Sequence, residues 1–237
     1  MNLSKRASEV EIMDDLDCSG PVVDQTLREL DIINQWLGGN AVTLHPVKSL
    51  LPKINSSSQP TILVDLGCGS GDMLRRIARW ARQENIGMTG IGIDANPNII
   101  AYARQASSSF KELDFQTLNI FSTEFQSMTF DVVLATLFTH HFTHEELVLM
   151  LTRLKKQTRK SIIINDIHRH PLAYYSIRWL TTFFSRSDMV KFDAPLSVRR
   201  AFLKKEWEAI LKEAGVENYQ LRWRWAFRWQ LIIHLSE

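Results

Sequence analysis

Short apolar runs alternate with stretches in which apolar residues recur every three or four positions, and this alternation sorts the chain into elements. Val23, Leu27, Leu30, Ile33 and Leu37 recur at helical spacing before Gly38, Gly39 and Asn40 stop the pattern, so the first fifty residues are expected to be helical. The polar run NSSSQP at 55–60 then reads as a linker. From Thr61 the rhythm changes: apolar runs at 61–67, 89–94, 114–120, 130–138 and 160–167 predict strands separated by helical stretches, the signature of βαβ units and a parallel sheet.

The helices carry their own punctuation. Met73, Leu74, Ile77, Ala78 and Ala81 share one helical face after the first strand. Asn96 and Pro97 supply a cap and then a ring already held at helical φ, while Thr143 and Glu146 have capping-box spacing ahead of the stripe Leu147, Met150, Leu151 and Leu154. Trp207, Ile210, Leu211 and Ala214 predict a helix that stops at Gly215. The runs 219–225 and 228–235 then alternate like two strands that pair with each other, and Trp223, Trp225 and Trp229 read as core or edge packing. The expected organisation is a helical N-terminal cap at 1–55 and one α/β domain at 60–237, with an insertion at about 168–203.

Composition narrows the class. A chain of 237 residues, 45% hydrophobic and 23% charged, holds one sizeable core. Its net charge of +2 provides no broad field for collecting nucleic acid, and Arg75, Arg76, Arg79 and Arg82 read as a solvated helix face. Arg222 and Arg224 alternate with tryptophans as on a half-buried strand, so no nucleic-acid partner is expected. Cys18 and Cys68 make no disulfide framework, which suits a reducing cytoplasm. The N-terminus has no apolar leader, and LAYYSIRWLTTFF is short and interrupted by Arg178, so stable membrane insertion is not expected. The oligomeric state is not legible.

The chemistry begins at VDLGCGSGDM, residues 64–73. A strand that turns directly into a helix aims unpaired N–H groups at whatever lies above its carboxyl end, and glycine lets a ligand approach the backbone. Gly67, Gly69 and Gly71 are spaced so that the third glycine falls one residue early for the dinucleotide fingerprint, whose matching position is Asp72. Asp65 and Asp72 would crowd a pyrophosphate with negative charge and favour a cationic head group. Asp94, at the second strand's end, can accept two hydrogen bonds from a ribose diol, which serves a nicotinamide dinucleotide equally well.

In DLGCGSG at 65–71, GIDANP at 92–97, LNI at 118–120 and FDVVLATLFTHHF at 130–142, the chain resembles the class I S-adenosylmethionine-dependent methyltransferases, with order and spacing matching across about 61–167. The resemblance implies an α/β Rossmann-like sheet, mostly parallel with its last strand antiparallel, beneath the helical cap and an inserted helical lid. It implies S-adenosyl-L-methionine as cofactor, wrapped along its methionine part by Gly67, Cys68, Gly69 and Gly71, with Asp65 near the ammonium, directly or through water. Asp94 would hold the ribose, Ala95 and Ile120 would pack on adenine, Asn119 would reach the exocyclic amine, and Thr136 would lie close to the sulfonium. Many relatives carry aspartate where Asn119 stands. The histidine pair after the fourth strand resembles the quinone-biosynthesis branch. EIMDDLDCSG and RHPLAYY resemble bacterial methyltransferases found beside polyketide synthases, which implies O-methylation of a phenolic or polyketide-type product.

Positioning and water exclusion are the first demands of such a transfer, and an acceptor hydroxyl also benefits from a base. The candidates are His140 and His141, after the fourth strand, and Asp166 and His168, after the fifth, with His141 and His168 preferred. Asp166, His168 and His170 lie close in sequence but match no known ligand set, so no metal is expected. ATLF at 135–138 lacks the Asn/Asp-Pro-Pro-aromatic sequence of amide-nitrogen methyltransferases. The insertion carries Leu172, Tyr175, Ile177, Trp179, Leu180, Phe183 and Phe184, suited either to a lid over an apolar small molecule or to plain packing on the sheet. The expected function is methyl transfer to a small apolar or aromatic acceptor. The alternatives are a non-catalytic S-adenosylmethionine-binding protein and an NAD(P)-dependent oxidoreductase.

Overall fold

A computed structural model describes residues 3–54 and 59–235. Most of the predicted 55–60 linker lies outside the described residues. Helices α1 (Pro21–Trp36) and α2 (Gly39–Ile54) precede a repeating core: β1 (Thr61–Leu66), α3 (Asp72–Gln83), β2 (Met88–Asp94), α4 (Pro97–Ala106) and β3 (Leu113–Thr117). Then come α5 (Thr123–Gln126), β4 (Phe130–Thr136), α6 (His144–Gln157) and β5 (Thr158–Ile167). Helices α7 (Pro171–Phe184) and α8 (Asp188–Arg200) form the insertion, and α9 (Lys204–Glu213), β6 (Tyr219–Arg224) and β7 (Arg228–His234) complete the chain.

The strands make a seven-stranded sheet in the order β3-β2-β1-β4-β5-β7-β6. The pairings among β1 to β5 are parallel, while β7 runs antiparallel to both β5 and β6. Helical crossovers bring the chain back to the same end of the sheet before each parallel strand, and the antiparallel pair completes the sheet with a short turn. One face buries Val64, Val133, Ile162 and Ile233 against the stripes of α6 and α9. The other buries Leu63, Val132 and Ile163 against α3, α4 and Val47 and Leu51 of α2. Strands covered on both faces read as continuous apolar runs, which is why β1, β4 and β5 stand out in the sequence.

The capping signals act as expected: Asn96 accepts from the N–H groups of Asn98 and Ile99, and Thr143 and Glu146 form a capping box. Two N-terminal expectations need correction. Helix begins only at Pro21; before it the chain is an extended strap with a single 3-10 turn at Ile12–Asp14. The Gly38-Gly39-Asn40 run does not end the helical region but joins α1 to α2, with Gly38 in the left-handed conformation. Among the described residues, no helix is long and apolar enough to cross a membrane.

Candidate active site

Because β1 sends its crossover one way and β4 the other, a crevice opens above their carboxyl ends. The strap, α1, α7, α8 and the β6–β7 turn roof it into a cavity of about 930 Å³. Leu27, Leu30, Ile33 and Leu37 of the α1 stripe line that cavity, Leu27 also packing in the core with Val23. The stripe therefore serves the site as much as the core.

On one side lie the residues singled out from the glycine motif. Asp65, Gly67, Cys68, Gly69, Asp94, Ala95, Asn119, Ile120 and Thr136 all line the cavity; Gly71 does not, because it caps α3 behind the loop and faces Phe115. Gly69 has φ +51°, and a Cβ there would meet nothing nearer than Leu27 at 3.8 Å, so the bend is bare on its cavity side. At Gly67 a Cβ would stand 2.1 Å from the Phe138 ring, so only glycine lets that ring seal the loop.

Two carboxylates give this half its electrostatics. Asp65 is 2% exposed, and its Oδ1 has no hydrogen-bond partner. Burial, with Asp94 adding repulsion, pushes it up to about 8. Asp94 is also raised by burial, although it accepts from Asn96 N at 3.0 Å and Gly69 N at 3.4 Å. Those bonds make Asp94 a local cap while leaving lone pairs for a ligand. Asn119 has a similar double duty, its Oδ1 accepting the Phe121 N–H at 2.8 Å. The Thr136 hydroxyl is 3.0 Å from that of Thr43, which accepts in turn from Asn165. Burial raises the Cys68 thiol far above its ordinary value, which suits packing rather than reactivity.

Another part of the lining is built from residues far apart in sequence. Asp166, buried at the end of β5, accepts from His140 Nδ1 at 2.7 Å, from the Thr139 hydroxyl and from the His140 N–H at 2.9 Å. Burial alone would raise it, but His140 and these donors hold it well below the usual carboxylate range. The strap brings Glu11 to 3.7 Å from His140 Nε2, and Asp14 to 2.6 Å from His141 Nδ1. Burial pushes Glu11 up to about 7. Arg200 from α8 ties the strap down through Asp14 at 2.5 Å and the His141 carbonyl at 2.7 Å. Arg6 does the same through the carbonyls of His140 and Phe142. Leu137, the first residue beyond β4, has φ +54°, a costly conformation for a branched side chain at the point where the chain turns into this cluster.

The two base candidates part company here. His141 lines the cavity; His168 lies outside the lining residues, between His170 and Trp229, with its pKa lowered by burial and by His170. Strand alternation alone would put His168 on the side of Asp166, but β5 ends at Ile167 and the alternation ends with it. Trp229 is buried with its indole N–H on the Phe202 carbonyl, whereas Trp223 and Trp225 are 48% and 78% exposed and line the cavity, not a core. Arg75 is likewise not solvated: it is buried and donates to the Ser70 carbonyl at 2.5 Å, bracing the glycine loop. Sequence reasoning named His140 but preferred its neighbour, and it missed Glu11, Asp14 and Arg200 as cavity residues. The one local hint was the density of acidic residues in EIMDDLD.

Residues 57–215 match a family described as a methyltransferase domain. No curated protein matches the sequence. Among solved structures, the fold is similar to the citrinin polyketide synthase CMeT domain, with TM-score 0.62 and 16% identity over 81% of this chain and 50% of that one. It is also similar to the plantazolicin methyltransferase BpumL, crystallised with a pentazolic desmethylPZN analog and SAH, with TM-score 0.64 and 16% identity over 91% and 90% of the two chains. The magnesium protoporphyrin IX methyltransferase ChlM from Synechocystis PCC 6803, with bound SAH, gives TM-score 0.52 and 15% identity over 97% and 90%. The chain spans about half the length of the citrinin domain and of the CurJ carbon methyltransferase structure, 50% and 54%. With the match covering more than half the sequence, on a sheet of this order, the chain belongs to the class I S-adenosylmethionine-dependent methyltransferase family.

Proposed function

We propose that the cavity binds S-adenosyl-L-methionine and that the protein transfers its methyl group to a small, largely apolar or aromatic acceptor, at the hydroxyl oxygen of a phenolic or polyketide-type metabolite. The observation that carries the reading is Asp65, a buried carboxylate at the cavity wall with an unpartnered oxygen. Such a group is costly unless a cation meets it, and the cofactor brings an ammonium and a sulfonium. Asp65 takes the ammonium and Asp94 the ribose hydroxyls. Gly67, Cys68 and Gly69 form the bend around the methionine part, with Gly71 behind them at the cap of α3, Ala95, Asn119 and Ile120 the adenine end, and Thr136 the neighbourhood of the sulfonium.

When bound, the cofactor supplies a methyl group already activated on sulfur. The chain's task is alignment and dryness: Leu30, Ile33, Ile177, Leu180 and Val190 wall the acceptor space with apolar side chains, and Trp223 and Trp225 stand at its edge. Oxygen is preferred because the acceptor space ends on His140, His141 and Glu11, where a hydroxyl can give up its proton. The similar structures include both the CurJ carbon methyltransferase and a protein from Nostoc punctiforme described as an O-methyltransferase, so this preference rests on the cavity and not on the fold. Calorimetric titration with S-adenosylhomocysteine, followed by labelled methyl transfer to a panel of phenols, tests both halves. Binding of NADH in place of S-adenosylhomocysteine would return the dinucleotide alternative; cofactor binding with no transfer to any acceptor would leave a non-catalytic binding protein.

A further inference from the structure

The acceptor end of the cavity contains a cluster that cofactor binding does not use. Glu11, His140 and His141 each offer one ligand atom, and these atoms lie within 4.8 Å of one another. Glu11 and His140 are buried, and all three residues line the cavity. His140 stands on Asp166 through Nδ1 at 2.7 Å, and that is how proteins orient a histidine toward a metal, since a partner on one nitrogen leaves the other as the lone-pair donor. His141 Nδ1 lies 2.6 Å from Asp14 Oδ1 without completing a hydrogen bond.

In neutral His140 the proton lies on Nδ1, toward Asp166, and the bare Nε2 faces Glu11 Oε1 across 3.7 Å. Once Glu11 is ionised, these are two electron-pair donors facing each other in a buried place, an arrangement that a cation between them relieves. A shared proton would draw them to about 2.7–2.9 Å. The observed gap is instead near the roughly 3.4 Å that two ligands about 2.1 Å from a tetrahedral ion span. The other contact of Glu11 Oε1, to Arg200 Nη1, is also long at 3.5 Å, because Arg200 binds Asp14 at 2.5 Å; Glu11 Oε2 is taken by the Ser197 hydroxyl at 2.9 Å. Glu11, Asp14, Asp166 and Asp193 gather around the cluster with Arg6 and Arg200, so the two imidazoles sit among carboxylates.

We propose that Glu11, His140 and His141 form a three-ligand site for a divalent cation of the zinc class, with its remaining position open to the acceptor cavity. Two imidazoles and one carboxylate are a donor set of catalytic zinc sites, which keep one position for water or substrate. There an acceptor hydroxyl would bind as the oxyanion, its proton passing to water, ready for methylation. That consequence rests on the proposed methyl transfer, while metal binding itself does not.

The test uses the full chain without a histidine tag, stripped with a chelator and dialysed against zinc or cobalt(II). Elemental analysis should find one ion per chain, and cobalt should develop the visible absorption of a four-coordinate N/O site. His141→Gln and Glu11→Gln, each verified as folded by circular dichroism, should lose at least tenfold in affinity. Asp166→Asn, which removes a support rather than a ligand, should lose about 10- to 100-fold. Asp94→Ala should retain the ion. Less than a tenth of an equivalent bound at micromolar metal, or equal binding by the folded Glu11 and His141 variants, overturns the site. Titration of the stripped protein with S-adenosylhomocysteine separates this failure from failure of the methyltransferase reading.

Discussion

Replacing Asp65 with asparagine should weaken cofactor binding and stabilise the empty protein, and the two effects share one cause. The carboxyl is 2% exposed, and burial beside Asp94 raises it to about 8, so at neutral pH the empty site holds its proton. A cation is attracted only to the ionised form, and one pH unit below 8 costs about 1.4 kcal/mol of binding. The ligand's own ammonium titrates equally in both proteins, so the informative quantity is the ratio of wild-type to Asp65→Asn affinity. That ratio should grow about two- to sixfold from pH 6 to pH 7, flatten above pH 8, and settle at about 1.5–3 kcal/mol in favour of wild type, the range for a hydrogen bond to a charged group. Stability follows with the opposite sign. The unfolded chain releases this proton near pH 4, whereas the folded chain keeps it until about 8, so stability is lost as pH rises across that window. The asparagine variant escapes the loss and should melt higher than wild type at pH 8. Calorimetric titration with S-adenosylhomocysteine in buffers of different ionisation enthalpy reads both affinity and proton release. A ratio independent of pH, with no proton released at pH 7, would refute the assignment.

Three further outcomes follow from named contacts. Asp94→Ala should weaken S-adenosylhomocysteine binding by about 1–3 kcal/mol, since the charged acceptor is lost and the N–H groups of Asn96 and Gly69 are left without it; unchanged affinity by calorimetry would remove Asp94 from the site. Leu51→Ala, which empties a fully buried position where α2 packs on the sheet, should cost about 2–5 kcal/mol in urea unfolding, and a loss under 1 kcal/mol would mean that α2 is not seated on this core. Trp225→Ala, at an exposed ring on the cavity wall, should raise the acceptor KM severalfold with little change in melting temperature; the reverse pattern would return Trp225 to a packing role.

What could be read from the sequence was whatever a local pattern encodes. Strands covered on both faces announce themselves as apolar runs, and the glycine loop, Asp94 and the caps at Asn96 and Thr143 are each decided by neighbours within a few residues. The acceptor side was hidden for the converse reason. Glu11 meets His140 across 129 positions of chain, through a strap with no period of its own, and nothing within EIMDDLD indicates which carboxylate will be buried. His168 was preferred for its place one residue past the carboxyl end of β5, and His141 was preferred to His140 although Asp166, a candidate at the same strand end, fixes His140 directly. The tryptophans show the same limit, since the alternation of β6 is equally compatible with a buried row and with a row facing a cavity. A fold whose cofactor end is local and whose acceptor end is assembled from the strap, α1, α7 and α8 can therefore keep its loop motif while the additions change. Acceptor specificity should accordingly follow the strap and the inserted helices, not the sheet.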